Sequence, residues 1–149
     1  MSKFVQALLS GIFISFLLDF FLFLGIFQNY IRVHEIDLYY NILFADNQNI
    51  VLFTIMSLLL GYLTLLKNKK ISLGIIAFLA LLSLSTLITP IGQSIAEILL
   101  MKKNVQLETK KYSYIGDILY DGRVNIILYD YKFKKILKIN KNKIKGEYK

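Results

Sequence analysis

Cysteine is absent from the 149 residues, and histidine occurs once, as His34. Without cysteine the chain forms no disulfide, no thiolate metal site and no cysteine nucleophile. His34 and Glu35 have no second histidine at helical spacing, so the ligand pair of an H-E-x-x-H zinc site is missing. The sequence also has no glycine-rich phosphate loop and no nucleophile elbow. We therefore expect a protein that is not an enzyme, with no catalytic residue, no metal and no cofactor.

Charged residues are nearly absent from three apolar runs, Phe4–Phe27, Asn49–Leu66 and Ile71 to about Thr89. Asp19 is the one charged residue that they contain. Each run is close to the ~20 residues that cross a bilayer as a helix, and the chain has a mean hydropathy of +0.54. The first run is longer than the roughly 7–15 apolar residues of a signal peptide, so we expect it to remain as an anchor. The predicted fold is an integral membrane α-helical bundle of three transmembrane helices.

The connection between the first two runs, residues 28–48, carries a helical pattern of its own. Val33, Ile36, Tyr40 and Leu43 recur at spacings of three and four residues with polar neighbours between them. This pattern predicts a short amphipathic helix at the membrane interface. A loop that packs over the mouth of the bundle is the alternative.

Proline is also scarce. The single one, Pro90, follows the third run and separates it from a further apolar stretch that continues to Met101. A straight helix over 71–101 would measure about 46 Å, which exceeds the ~30 Å hydrocarbon core. Because proline removes a helix hydrogen bond and clashes with the preceding turn, we expect a kink there. The turn Lys67–Lys70 is short enough to require an antiparallel hairpin between the second and third helices.

From Asn104 onward the apolar residues alternate with polar ones, which is typical of strands. Asp121-Gly122 is a two-residue hairpin signal, and we predict a small antiparallel β-rich element of four or five strands. The predicted domains are a membrane domain over residues 1–101, with the interfacial segment at 28–48, and the basic β-rich element over 102–149. That element holds thirteen basic and five acidic side chains and so carries the entire net charge of +8.

Asp19 continues a stripe of small residues that recur every four positions, Ala7, Gly11 and Ser15. Residues at this spacing share one face of a helix, and small residues let membrane helices approach closely. A carboxylate at bilayer depth costs roughly 2.5–3.5 kcal/mol on insertion scales, so we expect it to face protein, with Ser57 or Ser83 as hydroxyl partners. The predicted helix-packing and assembly residues are Ala7, Gly11, Ser15, Asp19, Ser57, Gly61 and Ser83.

Three spans would place residues 28–48, the segment after Pro90 and the β-rich element on one side of the membrane. The candidate interaction face on that side consists of Asp46, Asn47, Glu97, Gly122 and Arg123. The candidate contacts with an anionic surface are Lys132, Lys134, Lys135 and Lys138. No nucleic-acid-binding module accompanies this charge, so we expect no nucleic acid partner.

The small size, the slight β element and the missing catalytic constellation favour a non-catalytic accessory or assembly subunit of a bacterial membrane protein complex. Its partners would be membrane lipids and another membrane protein, or a second copy of the chain. The alternative is a small transporter or ion- or proton-conducting oligomer that uses Asp19. The lysines of the Lys67–Lys70 turn favour a multi-pass protein of the inner membrane with a cytoplasmic N-terminus and an outside β-rich element.

Overall fold

The computed structural model describes residues 2–109 and 112–145 of the chain. In this part it contains five α-helices and a four-stranded antiparallel sheet. The chain divides into two compact units, Met1–Gln93 and Ser94–Lys149. The division thus falls inside the last helix, ahead of the domain boundary that the sequence predicts at 101/102.

Within the described residues the helices precede the strands along the chain. The helices are α1 (Lys3–Ile26), α2 (Tyr40–Asn47), α3 (Ile50–Leu65), α4 (Lys69–Ser85) and α5 (Thr89–Leu100). The strands are β1 (Lys102–Glu108), β2 (Ser113–Asp121), β3 (Asn125–Asp130) and β4 (Lys135–Asn140).

One helix in the described part of the chain is long and apolar enough to cross a membrane. It is α1 together with a π-helical turn, Phe27–Ile31, which makes a continuous helix of 29 residues. Two further spans exist if each bent helix pair counts as one: α2 with α3, bent by 84°, and α4 with α5, bent by 89°. The helical bundle with a small β element is therefore present, with one clear span and up to three.

Asparagine side chains begin both helices of the central hairpin. The Asn49 Oδ1 atom accepts hydrogen bonds from the backbone N–H groups of Val51 and Leu52 at 3.1 Å each. The Asn68 side chain accepts one from the N–H of Ile71 at the start of α4. These contacts satisfy amide donors that a helix N-terminus leaves without a partner. Asn49 is thus the N-cap of α3 and Asn68 that of α4.

The connection between α1 and α2 differs from the predicted amphipathic helix. Helical structure continues from α1 through Ile31, and Ile36 to Tyr39 are not helical. The second helix begins only at Tyr40. Of the four residues that predicted this helix, Val33 and Ile36 lie in the connection, and Tyr40 and Leu43 lie in α2, where Leu43 is fully buried.

A Schellman motif ends the extended first helix. The N–H of Ile36 donates to the carbonyl of Ile31, and the N–H of Glu35 donates to that of Arg32. Glu35 has the left-handed conformation that this motif requires, with φ at 51°. Because Ile31 and Ile36 are both buried, the motif also brings apolar side chains together at the helix end.

The two helices α1 and α3 run antiparallel in close contact. A Cβ atom on Gly61 would lie 2.7 Å from the carbonyl oxygen of Ala7, near the start of α1. One turn further along α1, a Cβ on Gly11 would overlap the carbonyl oxygen of Ser57 at 2.0 Å. The start of α3 therefore lies level with the middle of α1.

The end of α4 lies at the same level of α1. The Ser83 hydroxyl donates to the carbonyl of Leu18, and the Thr86 hydroxyl donates to that of Phe21 at 3.2 Å. Helices α3 and α4 have 16 and 17 residues, which is about 24–26 Å at 1.5 Å per residue. Asp19 therefore lies at one end of the part of the bundle where all three helices run together.

Pro90 occupies the first turn of α5, directly after the bend. Its missing N–H costs nothing in a first turn, because that donor has no partner within a helix. The N–H groups of Leu87 and Ile88 bond to the carbonyls of Leu84 and Ser85 and tighten the end of α4. The predicted kink at the proline is confirmed, at 89°.

The sheet of the second unit is a meander in the order β1-β2-β3-β4. Asp121 ends β2 and pairs with Ile126 of β3, and the N–H of Gly122 donates to the carbonyl of Asn125 at 3.1 Å. The predicted hairpin is therefore present, but its turn lies at Arg123 and Val124 and not at Asp121-Gly122. Gly116 lies inside β2, where a Cβ would meet the carbonyl oxygen of Tyr129 at 1.9 Å. Glycine in a strand often marks such a close backbone approach.

The two edges of the meander meet at a single bridge. Thr109, after β1, pairs with Ile144, after β4, and the N–H of Lys145 donates to the carbonyl of Glu108 at 2.7 Å. Ile144 and Lys145, after β4, thus form this bridge in place of a fifth strand and close the sheet. The closed sheet has a core of its own, which consists of Val105, Leu107, Ile118, Ile126, Leu128 and Ile139.

Candidate functional site

The predicted small-residue stripe of α1 packs against α3 of the same chain. Ala7, Gly11 and Ser15 are buried, and Ser57 and Gly61 are buried on the facing side of α3. A Cβ on Gly11 would also stand 2.6 Å from the backbone nitrogen of Gly61, so side chains larger than hydrogen are excluded there. Backbones that approach this closely are typical of helix contacts in membranes.

Two hydroxyl groups at this contact have no hydrogen-bond partner within the described part of the structure. They are the side-chain oxygens of Ser15 and Ser57, which are buried in residues with 2% and 3% exposure. A third buried polar atom of this kind is the side-chain oxygen of Gln48. The α1–α3 contact therefore contains polar atoms as well as small residues.

Gln48, in the connection between α2 and α3, is the partner of Asp19. Its Nε2 atom donates to the Asp19 Oδ2 atom at 2.7 Å, and the carboxylate is half-buried. The prediction that Ser57 or Ser83 fills this role is wrong. Ser57 lies beside Gly11, two turns from Asp19, and Ser83 donates to the Leu18 carbonyl instead.

Aromatic side chains surround the Asp19 level of the bundle. The Tyr40 hydroxyl donates to the carbonyl of Phe20 at 2.9 Å, which ties the start of α2 to α1. Phe44 of α2 packs edge-on against Phe16 and Phe23, with ring centroids 5.9 and 5.4 Å apart. Helix α2 thus covers the C-terminal half of α1. Tyrosine, such as Tyr40 here, is typical of a membrane interface.

A second close contact joins α1 to the α4–α5 bend and was missed from the sequence. A Cβ on Gly25 would lie 2.1 Å from the Thr86 Oγ1 atom, and a Cβ on Gly92 would lie 2.1 Å from the Thr86 carbonyl oxygen. That oxygen also accepts a hydrogen bond from the Asn29 Nδ2 atom at 2.9 Å. Thr86 is completely buried. The only sequence signal was that Thr86 continues a series of small residues that recur every three positions, Gly74, Ala77, Ala80 and Ser83.

Gly74 contrasts with the other glycines of the helices. A Cβ at Gly74 would meet nothing within 4 Å, whereas Gly11, Gly25, Gly61 and Gly92 each lie against another backbone. Its neighbours on the same helix face, Ala77 and Phe78, are exposed. Only Ser72 and Ser83 of α4 are buried. Helix α4 therefore has a small-residue surface, Gly74 to Phe78, that the first unit leaves uncovered.

The predicted interaction face is divided between the two units. Asp46 and Asn47 lie at the end of α2, where the Asn47 side chain donates to the Leu43 carbonyl at 2.8 Å. In the second unit Glu97 forms an ion pair with Lys103 at 3.8 Å. Gly122 and Arg123 follow β2 at its turn, with Gly122 buried and Arg123 exposed. That these residues form one face stays a prediction.

Three of the four predicted anionic-surface lysines lie together at the β3–β4 turn. Lys132, Lys134 and Lys135 are all exposed there and surround Phe133, which is 56% exposed. Lys138 lies further along β4 and borders a separate pocket of about 450 Å³. The sequence analysis missed Phe133, although its position between lysines is visible in the sequence.

Titratable side chains do not gather into a metal site in the described residues: no group of three His, Cys, Asp or Glu side chains is placed to hold an ion. Comparisons with protein-family models, curated proteins and solved structures give no significant match to this chain.

Proposed function

We propose that the chain is a non-catalytic accessory or assembly subunit of a bacterial membrane protein complex, and that it binds a partner helix through α4. The observation that carries this proposal is the open space at Gly74. The chain uses glycine for close backbone contact at Gly11, Gly25, Gly61 and Gly92. Gly74 offers the same surface with no helix of this chain against it.

The physical reason lies in how helices associate within a bilayer. Lipid tails are as apolar as leucine, so association depends on close packing and on hydrogen bonds, both of which small residues permit. Gly74 and Ala77 are one turn apart on the same face, and Phe78 flanks them. A partner helix could approach α4 here as closely as α3 approaches α1.

The proposed topology has three spans, with each bent helix pair as one. α1 would cross first, α3 would return and α4 would cross again, with α2 and α5 turned towards one interface. Lys67 follows α3, and Lys69 and Lys70 begin α4, so three lysines at this connection favour a cytoplasmic side there. The proposed orientation therefore has the N-terminus inside and the β-rich unit outside, in the inner membrane.

Site-specific photocrosslinking in cells tests the proposal. A benzophenone analogue of phenylalanine at Phe78 should give one discrete protein adduct, because Phe78 flanks the uncovered surface. The control is the same analogue at Phe13 of α1. Phe13 and Phe78 are both 61% exposed, so the two probes are equally accessible. An adduct of twice the chain mass would identify a second copy as the partner.

Substitution at Gly74 completes the test. Gly74→Leu should abolish the Phe78 adduct while the chain remains folded, because a Cβ at Gly74 meets no atom of the described residues within 4 Å. Ile75→Phe adds bulk at nearly the same depth on another face and should leave the adduct intact. If Phe78 gives no protein adduct, or if Gly74→Leu leaves it unchanged, α4 is not the partner surface.

A second candidate function, transport that uses Asp19, has one observation in its favour. Asp19 bonds to Gln48, whose side-chain oxygen is buried and lacks a partner in the described residues, and two more buried hydroxyls of this kind, those of Ser15 and Ser57, lie along the α1–α3 contact. Such atoms could hold water along a proton or ion path. Asp19→Asn should abolish flux in proteoliposomes if this function is correct. No flux from the unmodified protein would exclude it.

A further inference from the structure

The turn between β3 and β4 combines exposed apolar side chains with exposed lysines. Phe133 at the turn is 56% exposed, and Tyr131 and Ile136 beside it are 41% and 42% exposed. Ile115 lies opposite Tyr131 on β2 and is 54% exposed. We call these residues together with Lys132, Lys134 and Lys135 the hairpin tip.

The backbone of the hairpin tip is held in place from inside. The Asp130 Oδ1 atom accepts a hydrogen bond from the N–H of Phe133 at 2.7 Å. Asp130 is 1% exposed, so it holds the turn from beneath the surface of the tip. Lys134 has a φ of 51°, which turns the chain sharply after Phe133. The turn therefore presents Phe133 outward in one defined conformation.

The charge at the tip is positive. The Nζ atoms of Lys132 and Lys135 lie 5.8 and 5.5 Å from the centre of the Phe133 ring, on which both cations can rest. Asp117 on β2 is half-buried, and its Oδ1 atom accepts hydrogen bonds from the Tyr131 hydroxyl at 2.5 Å and from the N–H of Asn104 at 3.0 Å. No other carboxylate in the described residues is bonded to the tip.

We propose that the hairpin tip docks on the surface of an anionic lipid bilayer, with Phe133 in the headgroup region and the three lysines on lipid phosphates. An aromatic ring among lysines matches the chemistry of this boundary, where rings enter the interface and cations are attracted to anionic headgroups. The chain itself brings the tip to a membrane, because the unit that carries it follows the proposed last span. The binding would hold the sheet against the bilayer in either membrane orientation, provided that the leaflet is anionic.

The absence of cysteine makes the test direct. Phe133→Cys in the full-length chain carries an environment-sensitive NBD fluorophore, and the protein is placed in nanodiscs, whose two leaflets have the same composition. One set contains phosphatidylcholine alone and the other adds phosphatidylglycerol in equal parts. The matched control is NBD at Val124→Cys, which is 61% exposed at the β2–β3 turn.

The emission of the Phe133 probe should shift to the blue in the anionic nanodiscs and be quenched there by spin-labelled lipids. It should remain at its water-exposed wavelength in phosphatidylcholine alone and at Val124 in both. Replacing Lys132, Lys134 and Lys135 by Gln in the labelled chain should remove the shift, and circular dichroism should show an intact sheet. The proposal is overturned by an unshifted spectrum in anionic nanodiscs, by an equal shift in both lipids, or by an equal shift at Val124.

Discussion

Gly11 and Gly61 lie so close that a Cβ on Gly11 would stand 2.6 Å from the backbone nitrogen of Gly61. No side chain fits between the two helices at this point. The small-residue stripe that the sequence displays on α1 is therefore occupied within the chain. The proposed partner surface is a different one, on α4 around Gly74.

The first prediction compares these two glycines. Gly11→Val should lower the free energy of unfolding by more than the ~1–3 kcal/mol of ordinary overpacking, because the new Cβ meets backbone and not a flexible side chain. Gly74→Val introduces the same side chain into a helix with open space around it, and stability should change little. Unfolding of both variants in mixed micelles measures the difference; equal losses would contradict the packing described for α1 and α3.

Features set by local chemistry could be predicted from the sequence. Asn49 caps α3 and Pro90 marks the bend, because each depends on residues within a few positions. The hairpin that Asp121-Gly122 signals is also present, although its turn lies at Arg123 and Val124. The partner of Asp19 could not be predicted in this way. It depends on where α3 begins relative to α1, a long-range packing result that brings Gln48 to the level of Asp19.

The end of α1 was equally hard to predict. In a Schellman motif the left-handed residue is usually glycine, or sometimes asparagine, but here it is Glu35. Nothing in the sequence distinguishes this glutamate from those in helices. The hairpin tip was visible only in part, because the spacing of lysines does not show that Phe133 faces outward or that Asp130 fixes the turn.

The second prediction concerns the Asp19–Gln48 contact. Gln48→Leu removes the donor and should cost about 1–3 kcal/mol, since a half-buried carboxylate then loses its hydrogen bond. Asp19→Asn retains an acceptor and should cost less. A double-mutant cycle of Asp19→Leu and Gln48→Leu, followed by unfolding in micelles, should show a coupling energy of about 1 kcal/mol. Strict additivity would mean that the two side chains do not interact.

The third prediction uses Glu35, the left-handed residue of the Schellman motif that ends the extended first helix. Glu35→Gly should raise stability by about 1 kcal/mol, because glycine adopts a φ of 51° without the steric cost of a Cβ. Glu35→Val should destabilise the chain, since a β-branched residue fits this conformation worst. The thermal midpoints of both variants in detergent give the comparison. A gain with valine would show that the Schellman geometry is not what ends the helix.

The fourth prediction is a pH dependence in the second unit. The hydrogen bond of the Tyr131 hydroxyl to Asp117 raises the pKa of this phenol above its usual value of 10.0, and the negative charge of Asp117 adds to the effect. A raised folded-state pKa favours the neutral phenol, so this stabilisation is fully present below about pH 10. As the pH rises above that value, the unfolded chain loses its proton first and the stabilisation declines.

Carbon-13 NMR of labelled tyrosine rings can follow this titration, with Tyr131→Phe to assign the resonance. Tyr131 should titrate above its usual pKa of 10.0 in the unmodified chain. Asp117→Asn removes the carboxylate but keeps an oxygen acceptor, so the pKa of Tyr131 should fall back towards its ordinary range. If the titration of Tyr131 is the same in both proteins, the carboxylate does not control the phenol. Tyr131, at the start of the turn that carries Phe133, would then not be held to β2 through the Asp117 carboxylate.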